Sequence, residues 1–361
     1  MKAQKTNHFS KSSSRFLNLL PVLCLVSIFF SCEKPKPEEP VTDLSKGYYV
    51  LNEGSWQMNN TSLSFVNLNG NVLSDAFLST NGRGLGDTGS DLQIYGGKMY
   101  CVVNISETLE IMNLEAKSLH QISLAGRAPR KLAFYQNYAY VSCYDGSILK
   151  IDTATCEVID IQQAGSNPDG LCVANGKLYV ANSGGLNYPN YGKTVSVFDL
   201  ATFTLLKDIT VVDNPTRLAA DAYGDVYLVS NGNYADALAA FQRIDSQTDE
   251  VVQTFDFPVT NFAISGNLCY FYYFDYGTNQ AVVKVLDVAT ETIVNDNFIQ
   301  DNTTIQTPYG IAVSADGSEV LLTDALQYTT NGDLFRFSSN GRLLDHYEVG
   351  MNPAVIVEKK R

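Results

Sequence analysis

The sequence predicts an all-β chain folded as a seven-bladed β-propeller whose C-terminal strand closes the N-terminal blade. Three observations carry this. Residues 166–212 read as four short strands in series, 170–174, 178–182, 194–199 and 204–211, each rich in Val, Leu, Tyr or Phe and each ended by turn residues. The unit recurs, with Pro129, Pro168, Pro215, Pro258, Pro308 and Pro353 each standing just before an apolar strand, at spacings of 39, 47, 43, 50 and 45 residues. A period in the forties with four strands per unit marks a propeller blade, because one four-stranded sheet cannot cover both of its own faces. Finally, only three strands (48–52, 63–67 and 72–77) precede the second unit, and a lone strand, Ala354-Val355-Ile356-Val357, follows Pro353. That last strand completes the first sheet and removes the open edges.

In chain order, residues 1–31 carry a basic, Ser-rich start and an apolar run over 16–30, too short for a comfortable membrane span and consistent with a cleavable signal peptide. The run stops at Ser31-Cys32, which resembles a bacterial lipoprotein cleavage site; Phe29 departs from the usual Leu there. Cys32 is then the lipidated N-terminus, and acyl chains anchor the protein without spanning the bilayer. Residues 32–46 form a Pro-rich, charged tether and 47–361 the propeller. The remaining blades start near Leu85, Pro129, Pro168, Pro215, Pro258 and Pro308.

Strand order sorts the loops onto two faces. With strands a to d running from axis to rim, the a–b and c–d turns share one face. They are short and stereotyped: Gly96-Gly97, Asn175-Gly176, Gly266-Asn267, Asp316-Gly317 and Asp152-Thr153-Ala154-Thr155. The b–c loops and d–a links share the other face, where length, Tyr and Asn accumulate. Rigid aromatic anchors beside adaptable amides make a recognition surface. Its candidates are Trp56, Asn60, Tyr144, Tyr188, Tyr191, Tyr234, Tyr276 and Tyr328, with Arg83 and Arg130 expected on d–a links of the same face.

The chemistry of an enzyme is sparse. Beyond the signal peptide only His120 and His346 remain, with no Cys-x-x-Cys or HExxH, so no metal site is expected. Five cysteines besides Cys32 lack a disulfide pattern and read as buried free thiols. Asn52, Glu53 and Asp87 are candidates by type for the cation site of a propeller lactonase, but the chain reads as a non-enzyme. Formal net charge is −13, and the first 31 residues hold four positive charges and no acid. Such acidity repels phosphate backbones and argues against a nucleic-acid partner.

Val50-Leu51-Asn52-Glu53-Gly54, Asn59-Asn60-Thr61-Ser62-Leu63-Ser64, Asn81-Gly82, Leu85-Gly86-Asp87-Thr88, Ala128-Pro129-Arg130 and the blade phrase Gly176-Lys177-Leu178-Tyr179-Val180 resemble YncE-like seven-bladed propeller lipoproteins of Bacteroidota. The resemblance runs from about Tyr48 to the C-terminus, and its N-terminal phrases are the more specific. It includes the BtuG-type branch, which implies capture of cobalamin (vitamin B12) at the cell surface and delivery to a TonB-dependent outer-membrane transporter. Cobalamin would be a bound ligand and not a catalytic cofactor. A mouth lined with Tyr, Trp and amides suits its flat ring and many carboxamides, and Arg83 and Arg130 suit its phosphodiester. The expectation is therefore a lipid-anchored outer-membrane protein facing the exterior. Two alternatives remain: a glycan or peptide capture protein, and a protein-interaction scaffold without a small-molecule ligand.

Overall fold

A computed structural model describes residues 44–360 except 276 and 279. The expected signal peptide, Cys32, most of the expected tether and Tyr276 lie outside the described residues. Seven four-stranded antiparallel sheets stand around an axis. From axis to rim, blade two is Gly89–Tyr95, Lys98–Val103, Thr108–Asn113 and Ser118–Ser123, and blades three to seven repeat this order. In blade one, Pro353–Lys359 is the innermost strand, followed by Gly47–Asn52, Ser62–Asn67 and Val72–Leu73. Gly47 pairs with Lys359 and Asn52 with Pro353, so the ends of the ring interlock by backbone hydrogen bonds.

The strand patterns follow from position. Second strands such as Gly47–Asn52 and Val226–Ser230 are buried along their whole length, because a neighbouring blade covers each face. Rim strands such as Val158–Gln163 are mostly exposed. Seven apolar clusters form the core, one at each interface between adjacent blades. The closing one packs Tyr48, Val50 and Ile356 of blade one against Leu321, Leu334 and Val349 of blade seven.

A tyrosine recurs two or three residues into the second strand: Tyr49, Tyr100, Tyr140, Tyr179, Tyr227 and Tyr270 are all buried. Several of their hydroxyls reach the c–d turn of the next blade. Tyr49 donates to the Leu114 carbonyl (2.8 Å), Tyr227 to that of Val288 (3.4 Å), and Tyr179 to Asp249. Lys177 joins the third clasp, its Nζ 2.7 Å from Asp249 Oδ2. These clasps lie on the short-turn face and hold neighbouring blades in fixed rotation.

Two expectations are corrected. The stretch 72–77 is not one strand: the ladder ends at Leu73, and Ala76–Asn81 is a short helix. Asp75 caps its start by accepting the Leu78 N–H, and Gly82 ends it at φ 67°, a left-handed conformation glycine adopts without penalty. Blade six starts at Asn261, with Pro258 in the link before it. Among the described residues no helix is long and apolar enough to cross a membrane. Cys101, Cys143, Cys156, Cys172 and Cys269 are free thiols, as expected.

Candidate functional site

Inner strands of blades three, four, five and seven each begin Pro-x-x: Pro129-Arg130-Lys131, Pro168-Asp169-Gly170, Pro215-Thr216-Arg217 and Pro308-Tyr309-Gly310. Just after each proline the pairing with the second strand shifts register, a bulge that re-aims the residues there. Arg130, Lys131, Asp169, Thr216, Arg217 and Tyr309 consequently line one polar mouth on the axis, joined by Glu53, Ser90 and Asn231. The cavity measures about 280 Å³. Below it the channel continues, lined by Asp91, Gln93, Lys131, Arg217 and Asn261 together with Leu132, Leu171, Leu218, Ile311 and Val355. Gly170 is required by crowding, since a Cβ there would sit 2.3 Å from the Thr216 carbonyl oxygen.

Charge at the mouth is organised around two pairs. The Arg130 guanidinium lies over the Tyr144 ring, 4.6 Å from its centroid, and 3.4 Å from Asp169 Oδ2. Burial opposes its charge, but Asp169 and Tyr144 outweigh that and hold its pKa above the ordinary value. The Tyr144 hydroxyl donates to the same carboxylate (3.3 Å). Across the axis Tyr309 donates to Glu53, and burial together with that carboxylate pushes the phenol pKa up. Arg130 Nε and Asp169 Oδ1 are buried without a hydrogen-bond partner, leaving a donor and an acceptor unused beside the mouth.

Beyond the mouth, the long loops carry aromatic side chains into solvent. Trp56 is 67% exposed, Tyr234 71% and Tyr188 74%. The Trp56 loop is rigid: Asp87 accepts the N–H groups of Gln57 (3.1 Å) and Asn59 (3.0 Å), and Asn60 Oδ1 accepts that of Ser55 (2.8 Å). Tyr191 links the loops of blades four and five, its ring edge-on to Tyr188 (6.1 Å) and Tyr234 (6.0 Å). Between blades six and seven a cavity of about 600 Å³ is lined by Tyr272, Phe274, Gln306, Gln327 and Tyr328. Leu326, Gln327 and Tyr328 all have positive φ, a costly backbone that the surrounding loop maintains.

The expected site residues divide accordingly. Trp56, Tyr188, Tyr191, Tyr234 and Tyr328 stand on the long-loop face, and Arg130 with Tyr144 at the mouth. Asn60 belongs to that face but uses its carbonyl to fold the Trp56 loop. Arg83 lies elsewhere: its Nη2 is 2.9 and 3.0 Å from the two carboxylate oxygens of the buried Glu110, and its guanidinium covers the Phe77 ring. Asn52 and Asp87 are likewise engaged, Asn52 with Ser62 and Ser64, Asp87 with the Trp56 loop. No group of residues suited to holding a metal ion occurs among the described residues. Sequence reasoning placed Tyr272 and Phe274 on the long-loop face without choosing them for the site, and it did not single out Lys131, Asp169, Arg217 or Tyr309 of the mouth. The signal for these four was the pair of residues after each blade-opening proline.

Residues 46–357 match a family model described as a domain of unknown function, DUF5074. No curated protein matches the chain. Among solved structures it is similar to hydrazine synthase of Kuenenia stuttgartiensis, with a TM-score of 0.60 and 13% identity over 72% of this chain and 86% of that one. It is also similar to the computationally designed Ika8 protein, with a TM-score of 0.54 and 13% identity over 74% and 89% of the two chains. At such identity these likenesses concern the fold alone.

Proposed function

The chain belongs to the DUF5074 family, and we propose that it is a capture protein that binds a bulky ligand on its long-loop face without transforming it. One observation carries this reading. The most exposed large apolar side chains of the ring, Leu238, Tyr188, Leu186, Tyr234, Trp56 and Met58, all stand on the loops of that face. Exposed apolar side chains gathered on one face around a polar recess mark an interaction site.

The ligand we propose is cobalamin or a related corrinoid. Its flat ring with apolar edges suits the Tyr191–Tyr234 edge and the cavity at Phe274 and Tyr328, and its carboxamides suit the amides and hydroxyls of the mouth. Affinity would come from preorganisation, since Asp87 and Asn60 already hold the Trp56 loop and little entropy is lost on binding. The described chain enters the ring at Gly47, on the short-turn face. A tether from a lipidated Cys32 reaching that point would turn the long-loop face away from an outer membrane, toward the exterior, and delivery to a TonB-dependent transporter in that membrane would require the ring to tip over on its tether. The apolar tips Leu186, Leu238 and Met58 favour a second reading, a protein partner docking on the same face.

Titration calorimetry of the full chain with cyanocobalamin tests the proposal. The expected result is saturable one-to-one binding that Trp56→Ala and Tyr234→Ala weaken. No heat at micromolar concentrations overturns the corrinoid reading, and aromatic-dependent binding of a polysaccharide or peptide instead would put that class in its place.

A further inference from the structure

The axial mouth holds two basic side chains, Lys131 and Arg217, that have no carboxylate partner among the described residues. Other arginines of the ring have carboxylate partners: Arg130 with Asp169 at the mouth itself, and elsewhere Arg83 with Glu110, Arg127 with Asp145, Arg243 with Asp225 and Glu291, and Arg336 with Glu319. Arg342 alone of the rest is fully on the surface. Arg217 is half-buried on the inner strand of blade five, and its side chain has no hydrogen bond or ion pair among the described residues, although it lines both the mouth and the channel below it.

Lys131 faces the same cavity from blade three. Its Nζ donates to the Ser90 carbonyl, and no carboxylate oxygen pairs with it among the described residues. Burial depresses its pKa; Asp91 opposes this, while Arg130 and Arg217 add to it by repulsion. Three carboxylates lie nearby, and none of them forms an ion pair with Arg217 or Lys131 among the described residues. Asp169 serves Arg130 and Tyr144, and Glu53 accepts from Tyr309. Asp91 accepts the backbone N–H groups of Leu92 (2.9 Å) and Leu132 (2.8 Å).

Two basic side chains facing one recess, neither in ion-pair contact with a carboxylate among the described residues, are stabilised by an anion placed between them. We infer that the axial mouth receives an anionic group of the captured ligand, a carboxylate or phosphate oxyanion, between the Arg217 guanidinium and the Lys131 ammonium. This rests on the capture reading and adds the chemical class of one group the ligand must present. Arg217 supplies fixed donors at the recess wall, and Lys131 supplies a charge that the arriving anion stabilises. A neutral ligand would leave both uncompensated.

The test titrates the full chain at low ionic strength with inorganic phosphate and, separately, with acetate, following heat and melting temperature. Saturable binding of at least one is expected, and the preferred ion identifies the oxyanion. Arg217→Ala should weaken that binding about tenfold or more, the scale of a lost charge-assisted contact. Arg217→Lys should recover part of it, and Arg342→Ala should change nothing. Because Arg217 has no partner to abandon, Arg217→Ala should melt at or above the wild-type temperature, which separates lost binding from lost fold. Absence of saturable binding to either ion, or binding equal in wild type and Arg217→Ala, overturns the inference. Should cyanocobalamin bind both proteins equally in that case, the capture reading survives alone. Arg217-dependent phosphate binding without cyanocobalamin binding would instead uphold the anion site and remove the corrinoid.

Discussion

At the short-turn end of the second strands Tyr49, Tyr179 and Tyr227 are buried and their hydroxyls tie one blade to the next, whereas on the long-loop face Tyr188 and Tyr234 stand in solvent with their rings edge-on to that of Tyr191. Tyr179 is fully buried and clasps Asp249 of the following blade. Tyr188 and Tyr234 are mostly exposed, and each sets its ring edge-on to that of Tyr191. The difference teaches that aromatic content alone does not locate a binding surface in a propeller. What distinguishes the two uses is loop length: a two-residue turn holds tyrosine inside a blade interface, and the loops 183–193 and 231–239 carry it out of the sheet.

Substitutions that exchange these behaviours would break the comparison. The largest effect is expected for Tyr179→Ala, which empties a fully buried aromatic site and leaves Asp249 with Lys177 alone. It should cost about 3–5 kcal/mol in denaturant unfolding and leave ligand affinity unchanged. Next comes Trp56→Ala, expected to lower affinity by about 2 kcal/mol or more in calorimetry, as an interface anchor does. Its stability should stay within about 0.5 kcal/mol of wild type, as for an exposed residue. A large fall in stability at unchanged affinity would assign Trp56 to the scaffold.

Arg83→Ala sharpens the contrast within the expected site residues. It removes a partner from the buried Glu110, which keeps Ser118 and Gln121. With Arg83 itself partly in solvent, about 1–2 kcal/mol of stability should go, again with affinity unchanged.

The smallest effect concerns acid. Asp316 is held down to about 2 by the Ser318 hydroxyl and N–H and the Ser314 hydroxyl. Asp152 and Asp199 are lowered by backbone N–H groups, of Thr155 and Thr202 first. All three sit on short turns. A carboxyl whose folded pKa lies below its unfolded value of about 3.9 contributes stability above that value and loses it as pH falls through the folded pKa. The short-turn face should therefore loosen between about pH 4 and the folded values, read as faster amide exchange at 153–157, 200–203 and 314–318.

Much of this architecture was legible because the propeller repeats its punctuation. The proline period, the paired short turns and the unmatched strand after Pro353 together implied seven closed blades, and the inter-blade clusters have that arrangement. The helix at 76–81 was misread because Ala76-Phe77-Leu78 is as apolar as a strand; its signals were the polar ends, Asp75 and Gly82. For the candidate site, the exposed aromatics were visible as long, Tyr-rich loops. The mouth was not. Arg217 and Tyr309 look like ordinary strand-opening residues, and only the closed ring with its bulged strand starts turns them onto a common axis. Arg83 was misleading for the converse reason, since a link residue can lie on the right face in sequence order yet be drawn to a buried carboxylate at the rim.

The division of labour between the two faces is tested most directly by hydrogen exchange of the full chain with and without saturating cyanocobalamin. The account predicts protection confined to residues 53–60, 183–193, 231–239 and 325–330 and to the strand starts around Arg130 and Arg217. Residues 114–117, 200–203 and 246–249 should exchange as before. Protection centred on those short turns, or none anywhere, would contradict it.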